Sequence, residues 1–219
     1  MTIFNSVYKS FTQWWTPWAN TLVYWRFNGN LDDSSWNNVT LTGTPYWYDT
    51  WIQWQALINK SNRLESSLIW GDVIWWPFAV AFWYWTKNNA TLQRIFSFGI
   101  NQEAVDIQME FYNDFSWIQV YTNASSTRIA FPFTQPSIWD WDNIIITWDG
   151  VNQIECYVNW VKINPYSNYN TTFTYPSPLT DVEINFYQTS TQECLLDEVV
   201  MENKYWTQTD VNSYLANYN

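Results

Sequence analysis

Apolar and polar residues alternate, or apolar residues run unbroken, over many short stretches of this chain, with turn-forming residues between them. Such runs, bounded by Asn, Asp, Ser, Thr and Gly, predict β-strands. The first is Thr21-Leu22-Val23-Tyr24-Trp25-Arg26-Phe27. In the run from Phe78 to Trp85, positions Phe78, Val80, Phe82 and Tyr84 share one face. Ala79, Ala81, Trp83 and Trp85 share the other. Both faces are apolar, which predicts a central strand covered on both sides. Further strands are predicted at Arg94 to Phe98, at Ile144 to Trp148, at Gln153 to Val158, at Val182 to Tyr187 and at Leu195 to Met201. Val105 to Phe111 and Ile118 to Tyr121 read as a hairpin. One segment has helical character: Thr207-Gln208-Thr209-Asp210 offers a cap ahead of Val211, Tyr214 and Leu215. Strands without helices to cover them must cover one another, so the expected fold is all-β, a sandwich of two packed antiparallel sheets with a short C-terminal helix.

The turns between these runs carry an anomaly. Cys156-Tyr157-Val158-Asn159-Trp160-Val161-Lys162-Ile163 reads as a hairpin whose tip is Asn159-Trp160. A two-residue tip of the I′ type needs φ > 0 at both positions and favours Asn-Gly. Trp fits that backbone poorly, because its Cβ makes φ > 0 costly. Ser34-Ser35-Trp36-Asn37-Asn38 would be an ordinary turn with Gly at 36. So would Asp49 to Gln55 with Gly at 51 and 54, and Trp14 to Trp18 would be a Gly/Pro linker. The chain holds 19 Trp and only 5 Gly, where Gly is ordinarily about 7% of residues. These facts point to a message whose UGA codons stand for Gly in the organism and have been written as Trp. The positions are Trp14, Trp15, Trp18, Trp36, Trp47, Trp51, Trp54, Trp70, Trp75, Trp76, Trp117, Trp139 and Trp160; as Gly they would leave 6 Trp and 18 Gly. The competing reading is a genuinely Trp-rich protein that stacks its rings on sugars.

Residues 1–20 read as a separate N-terminal segment and linker, and 21–219 as one domain. A length of 219 residues suits a single β-sandwich. The net charge of −11 argues against nucleic acid as a partner. Met1 to Gln13 lacks the apolar run of a secretory signal, and no run of about 20 apolar residues is available to span a membrane. Location therefore stays open between an extracellular surface and a virion. The absence of His removes Ser-His-Asp and Cys-His chemistry and most zinc sites. Cys156 and Cys194 fall on different predicted strands, so a bridge between them requires those strands to be neighbours.

In order and spacing, several motifs resemble the laminin-G-like or concanavalin A-like lectin/glucanase jelly rolls, over about residues 21–216. They are Leu22 to Ser35 with Trp36 where that family has Gly, and Trp51 to Leu57 against "G-x-x-G-x-A-L". Phe78 to Lys87, Trp141 to Gly150, Tyr157 to Trp160 against "Y-V-N-G", Leu196 to Val199 against "L-D-E-V", and the closing Tyr205 to Leu215 complete the set. The family's glycines fall on Trp here, and the opening segment also looks like translations from uncultured bacteria with the altered code. The resemblance implies a jelly roll that binds sugars, proteins or lipids more often than it catalyses.

Related glucanases carry Glu-x-Asp-x-x-Glu on one strand. The nearest run here is Glu103-Ala104-Val105-Asp106-Ile107-Gln108-Met109-Glu110. Glu103 and Asp106 would face opposite ways on a regular strand. Asp106 and Glu110 share a face, but residues four apart lie about 13 Å apart along a strand, against the about 5–5.5 Å of a retaining pair. A glycosidase is therefore the weakest of the readings. By resemblance, a structural calcium ion would be held by Asp33 and Asp197, with Asn30 as a further ligand. The simpler reading of Asp32-Asp33-Ser34-Ser35 is turn chemistry. Trp83 and Trp85 are the candidate ligand-binding residues, since flat rings stack on sugar faces; the alternative is that both belong to the core. The function expected is a non-catalytic recognition or adhesion module for a glycan or surface protein. The alternative is a structural surface or virion component attached through residues 1–13.

Overall fold

The structure is a computed structural model that describes residues 17–43, 47–52, 54–59, 63–67, 77–86, 92–99, 107–112, 117–122, 127–133, 141–151, 153–166, 181–187 and 194–218. The predicted N-terminal head, Trp14, Trp15, Trp70, Trp75, Trp76, Trp139, Glu103 and Asp106 lie outside the described residues.

Fourteen strands are described: β1 Thr21–Trp25, β2 Trp47–Ile52, β3 Trp54–Asn59, β4 Arg63–Ser67, β5 Phe78–Thr86, β6 Leu92–Gly99 and β7 Ile107–Tyr112, then β8 Trp117–Thr122, β9 Thr127–Pro132, β10 Asp142–Trp148, β11 Ile154–Val158, β12 Val161–Ile163, β13 Asp181–Tyr187 and β14 Cys194–Glu202. They form two antiparallel sheets. The larger runs β12-β11-β10-β5-β14-β3-β2, with β1 also paired to β14. The smaller runs β4-β13-β6-β7-β8-β9. The all-β sandwich expected from the alternation is the fold observed, and β7 and β8 form the expected hairpin.

β5 is the central strand of the larger sheet, between β10 and β14. Its two faces do different work. Phe78, Val80, Phe82 and Tyr84 point into the space between the sheets, with Trp25, Ile144, Ile146, Trp148, Leu196 and Met201. The smaller sheet meets them with Ile95, Ile118, Val120, Ile129, Phe131 and Ile184. Ala79 and Ala81 point outward and pack with Tyr24, Ile145, Tyr157 and Val200 beneath the C-terminal segment. The small size of these two alanines leaves room for that segment to lie close on the sheet. It contributes Trp206 and helix α1, Gln208–Leu215, which buries Val211, Tyr214 and Leu215. The helix starts where the sequence indicates, because Thr207 and Asp210 form a reciprocal capping box.

The tip between β11 and β12 is the tight turn read from the sequence. Val158 pairs with Val161, and the two residues between them have φ of 48° at Asn159 and 73° at Trp160. Trp160 thus occupies a backbone that favours Gly. The turn at Trp36 differs, since its left-handed residue is Asn38, with φ 57°. Trp51 and Trp54 belong to the paired strands β2 and β3, where Ile52 opposes Trp54, so this connection is shorter than the turn expected over 49–55. Trp18, read as part of a linker, packs its ring 5.4 Å from that of Trp206.

Cys156 on β11 is free and buried. Two strands, β10 and β5, separate β11 from β14, which carries Cys194. The neighbouring-strand condition for a bridge is therefore not met.

Candidate functional site

The residues expected to act together fall in two places: the loop after β1 and the outer face of the larger sheet. In the loop, Asp33 is an organising centre. Its Oδ1 accepts from the backbone N–H of Tyr24 and of Ser35, both at 2.8 Å. Its Oδ2 accepts from the Ser35 hydroxyl at 2.6 Å and from the Val39 N–H at 2.8 Å. Asn37 adds two bonds of 2.9 Å from its Nδ2 to the carbonyls of Thr21 and Leu22. Trp25 reaches across from the core side, donating its Nε1–H to the Val39 carbonyl at 2.7 Å. The loop is thus tied to β1 from both ends, in the manner of Asx turns. At its tip Trp36 is 86% exposed.

Asn30 stands apart from this centre. It is exposed and bonds Asp32, its Nδ2 donating to Asp32 Oδ2 at 2.8 Å. A carboxylate has about four lone-pair positions, and four protein donors already address Asp33. A cation shared with Asp197 would have to displace some of them. Among the described residues no group of three or more His, Cys, Asp or Glu side chains gathers as a metal site. With its four protein donors in place, Asp33 is held as the centre of a turn.

Asp197 lies on the outer face of the larger sheet, opposite Trp83. The pairing of β14 with β5 then slips: Asp197 faces Trp83, and the next partners are Val200 and Ala81. Three steps along β14 match two along β5, so one residue is extra, as in a β-bulge. The extra residue is accommodated by Glu198, whose φ is 51°. In a regular strand Glu198 would point into the core. Here it turns to the outer side, where Tyr24 donates its hydroxyl to Glu198 Oε2 and Arg26 Nε stands 3.5 Å from Oε1. The Arg26 guanidinium also lies over the Tyr24 ring, 5.9 Å from its centroid. Two consecutive carboxylates therefore share one face. Burial, then the charge of Glu198, push the Asp197 carboxyl well above its ordinary range. Burial and the same neighbour push the Tyr24 phenol upward as well.

Trp83 and Trp85 follow Ala79 and Ala81 on this face and are half-buried. Trp83 packs at the margin of the helix-covered cluster. Neither ring belongs to the inter-sheet core that Phe82 and Tyr84 fill. On the other side of Trp83 stands Asn143 of β10, its register partner. Asn143 is 1% exposed; its Nδ2 donates to the Phe82 carbonyl at 3.3 Å, while its buried Oδ1 has no hydrogen-bond donor.

Elsewhere on the same face two carboxylates act as braces. Glu202, fully buried, accepts from the Thr21 hydroxyl at 2.9 Å and from Trp206 Nε1–H at 2.7 Å. Burial raises its pKa. Glu155 accepts from Gln153 and Tyr157, both at 2.5 Å, and from Lys162. For Glu155 burial acts upward, but the donors, Lys162 first, outweigh it and hold the carboxyl below its ordinary range. Sequence reading found Asp197 and the two Trp but missed Glu198, Arg26 and Asn143. The only signal for Glu198 was its place in Leu196-Asp197-Glu198-Val199, where strict alternation assigns it inward.

The architecture is a β-sandwich of two antiparallel sheets. Solved structures with the same fold include one from work describing cell entry of botulinum neurotoxin type C that depends on interaction with two ganglioside molecules (TM-score 0.70, 12% identity, 91% of this chain and 51% of that one). Another is the ligand-binding domain of botulinum neurotoxin serotype D in complex with N-acetylneuraminic acid (TM-score 0.68, 11% identity, 90% and 51%). The serotype C1 binding domain is similar to the same degree (TM-score 0.70, 10% identity, 91% and 52%). This chain spans about half the length of each. At such identities the likeness establishes the fold. No protein-family model matches the chain, and no curated protein matches it in sequence. No helix among the described residues is long and apolar enough to cross a membrane.

Proposed function

We propose that this protein is a non-catalytic recognition module that binds carbohydrate on the outer face of its larger sheet. The observation that carries the reading is the grouping on one face of two half-buried indoles, Trp83 and Trp85, beside the bulge that brings Asp197 and Glu198 to the same side. Aromatic rings give a sugar its apolar stacking surface, and polar groups beside them fix hydroxyl orientation. Adhesion to a glycosylated surface follows from the same chemistry. The structural neighbours support the reading at one remove, since chains of this fold bind gangliosides and N-acetylneuraminic acid. Those activities belong to chains about twice as long.

Catalysis is a poorer use of the site. Glu198 is engaged by Tyr24 and Arg26, and Asp197 adjoins it in sequence, so the two carboxyls are not set across a bond to be cleaved. The test is retention on a glycan array by the whole chain, against Trp83→Ala and Trp85→Ala. Loss in both variants with an unchanged melting temperature supports the reading. Retention undiminished in both removes the face from it.

A further inference from the structure

The outer face around Trp83 is walled on three sides. Toward the Phe78 end of β5, Trp206 and α1 lie over Ala79 and Ala81, and Trp83 packs at the margin of that cover. On the β14 side stands the bulge, where Glu198 is held by Tyr24 and Arg26. On the β10 side stands the tip between β11 and β12. The N–H of Asn143 donates to Asn159 Oδ1 at 2.9 Å, and the N–H of Asn159 donates to the Asn143 carbonyl at 3.0 Å. The next residue, Trp160, packs on the same outer cluster as Trp83. Both lateral walls are set by residues with positive φ, 51° at Glu198 and 73° at Trp160. Strain of this kind persists only where the surroundings fix it, and ligand clamps are one such place. The fourth side follows β5 to Trp85, which is half-buried.

The floor holds polar groups of both kinds. Trp83 Nε1–H is a buried donor, and beside it Asn143 Oδ1 is a buried acceptor with no hydrogen-bond donor among the described residues. Buried polar atoms ordinarily find partners, and a sugar hydroxyl both donates and accepts. Asn143 is only 1% exposed, so a glycan lying across the face would pass above it. A terminal unit entering past Trp85, with its ring on Trp83, can carry a hydroxyl down to it as the half-buried indoles stand aside.

Resting on the carbohydrate reading, we infer that the outer face is an end-on pocket, which takes the terminal unit of a glycan chain and does not bind units in the chain's interior. Trp160 is its removable wall. The backbone there suits glycine, and without the indole the face opens over β10 and β11, where a chain could run through.

The experiment uses the full chain with ladders of β-linked glucose, mannose and galactose oligosaccharides, from two to six units, together with their polymers. The ladder retained on an array is then followed by calorimetry. The expected result is one protein bound per chain at every length. Reducing the chain's reducing end, or O-methylating its other end, should weaken binding at least tenfold for one of the two. Trp160→Gly, with its fold checked by circular dichroism, should lift the limit, so that the number of proteins bound per chain rises with length. A number that rises with length in the parent protein overturns the inference and leaves the carbohydrate reading standing. So does binding that neither blocked end weakens. One protein per chain in Trp160→Gly as in the parent removes the hairpin tip from the walls and overturns the inference as drawn. Binding to no glycan removes the carbohydrate reading and this inference with it.

Discussion

The two faces of the larger sheet are built from the same strands and obey different rules. The inner face is closed by hydrocarbon: Phe78, Val80, Phe82 and Tyr84 of β5 meet Ile118, Val120, Ile129 and Phe131 from the opposite sheet. Burial of apolar area is non-directional, so this face asks for volume and tolerates variation in detail. The outer face adds directed bonds to the apolar cluster that packs beneath α1. Glu202 ties Thr21 to Trp206, Thr147 Oγ1 accepts from the Trp206 N–H at 2.7 Å, and Glu155 gathers Gln153, Tyr157 and Lys162. Groups of this kind are costly to leave unpaired, so the outer face fixes one arrangement of the C-terminal segment. Beyond that segment the same face carries Asp197 and Glu198 beside Trp83. The difference teaches that the inner face fills the sandwich and the outer face fixes where the C-terminal segment lies on it.

Substitutions can break this contrast in order of size. Phe82→Ala should cost about 3–5 kcal/mol in urea unfolding, as truncation of a fully buried ring does. A loss below about 1 kcal/mol would mean that the inter-sheet core is not the seat of stability. Glu202→Ala should cost about 2 kcal/mol, by leaving the Thr21 hydroxyl and the Trp206 Nε1–H without their acceptor. Hydrogen exchange should show faster opening of α1 in that variant than in wild type, and equal rates would separate the helix from the brace.

Smaller effects sharpen the contrast. In the hairpin tip, Trp160→Gly should be more stable than Trp160→Ala by about 1 kcal/mol, the cost of φ > 0 at a residue with Cβ. Equal midpoints would show that the turn relaxes. The pH profile should also differ by face. Asp197 and Glu202 have pKa values raised in the folded state, so the folded chain holds their protons longer. Their stability is full below the ordinary carboxylate range and falls as pH rises through the raised values. Asp197→Asn should flatten that fall. Glu155 is shifted the other way, and its contribution disappears as pH drops below the ordinary range; Glu155→Gln should flatten the acid limb. Last, calcium titration after chelator treatment should give no heat, because Asp33 is occupied by protein donors. A saturable heat abolished by Asp33→Asn would reinstate the ion.

The sandwich was legible because short β-rich apolar runs, unbroken in β5 and β10, recur along the chain and turn residues separate them. The capped helix was legible for a local reason, Thr207 and Asp210 at capping-box spacing. The site was legible only in part. Trp83 and Trp85 could be assigned to a face by counting, but whether that face was core depended on which elements would cover it. Glu198 could not be placed by counting at all, since a bulge resets the count and is fixed by the pairing of β14 with β5 and β1. The hairpin tip worked in the opposite direction. Its backbone was predicted from Asn159 and the flanking strands, and Trp160 adopts it against its own preference. A codon reading at 36, 51, 54 and 160 decides which of these indoles the organism makes.

The loop held by Asp33 has a consequence for how such a protein could change. Its shape is set by one carboxylate, by Asn37 and by the Trp25 indole, none of which is its most exposed part. While Asn38 holds the left-handed turn, positions 34 and 36 project from that frame to solvent. Replacing them alters what the loop displays without altering how it stands, as variable positions do on a fixed scaffold. The loop is in that sense a socket for new sequence, on which a lineage or a designer could write other specificities while the sandwich beneath stays the same.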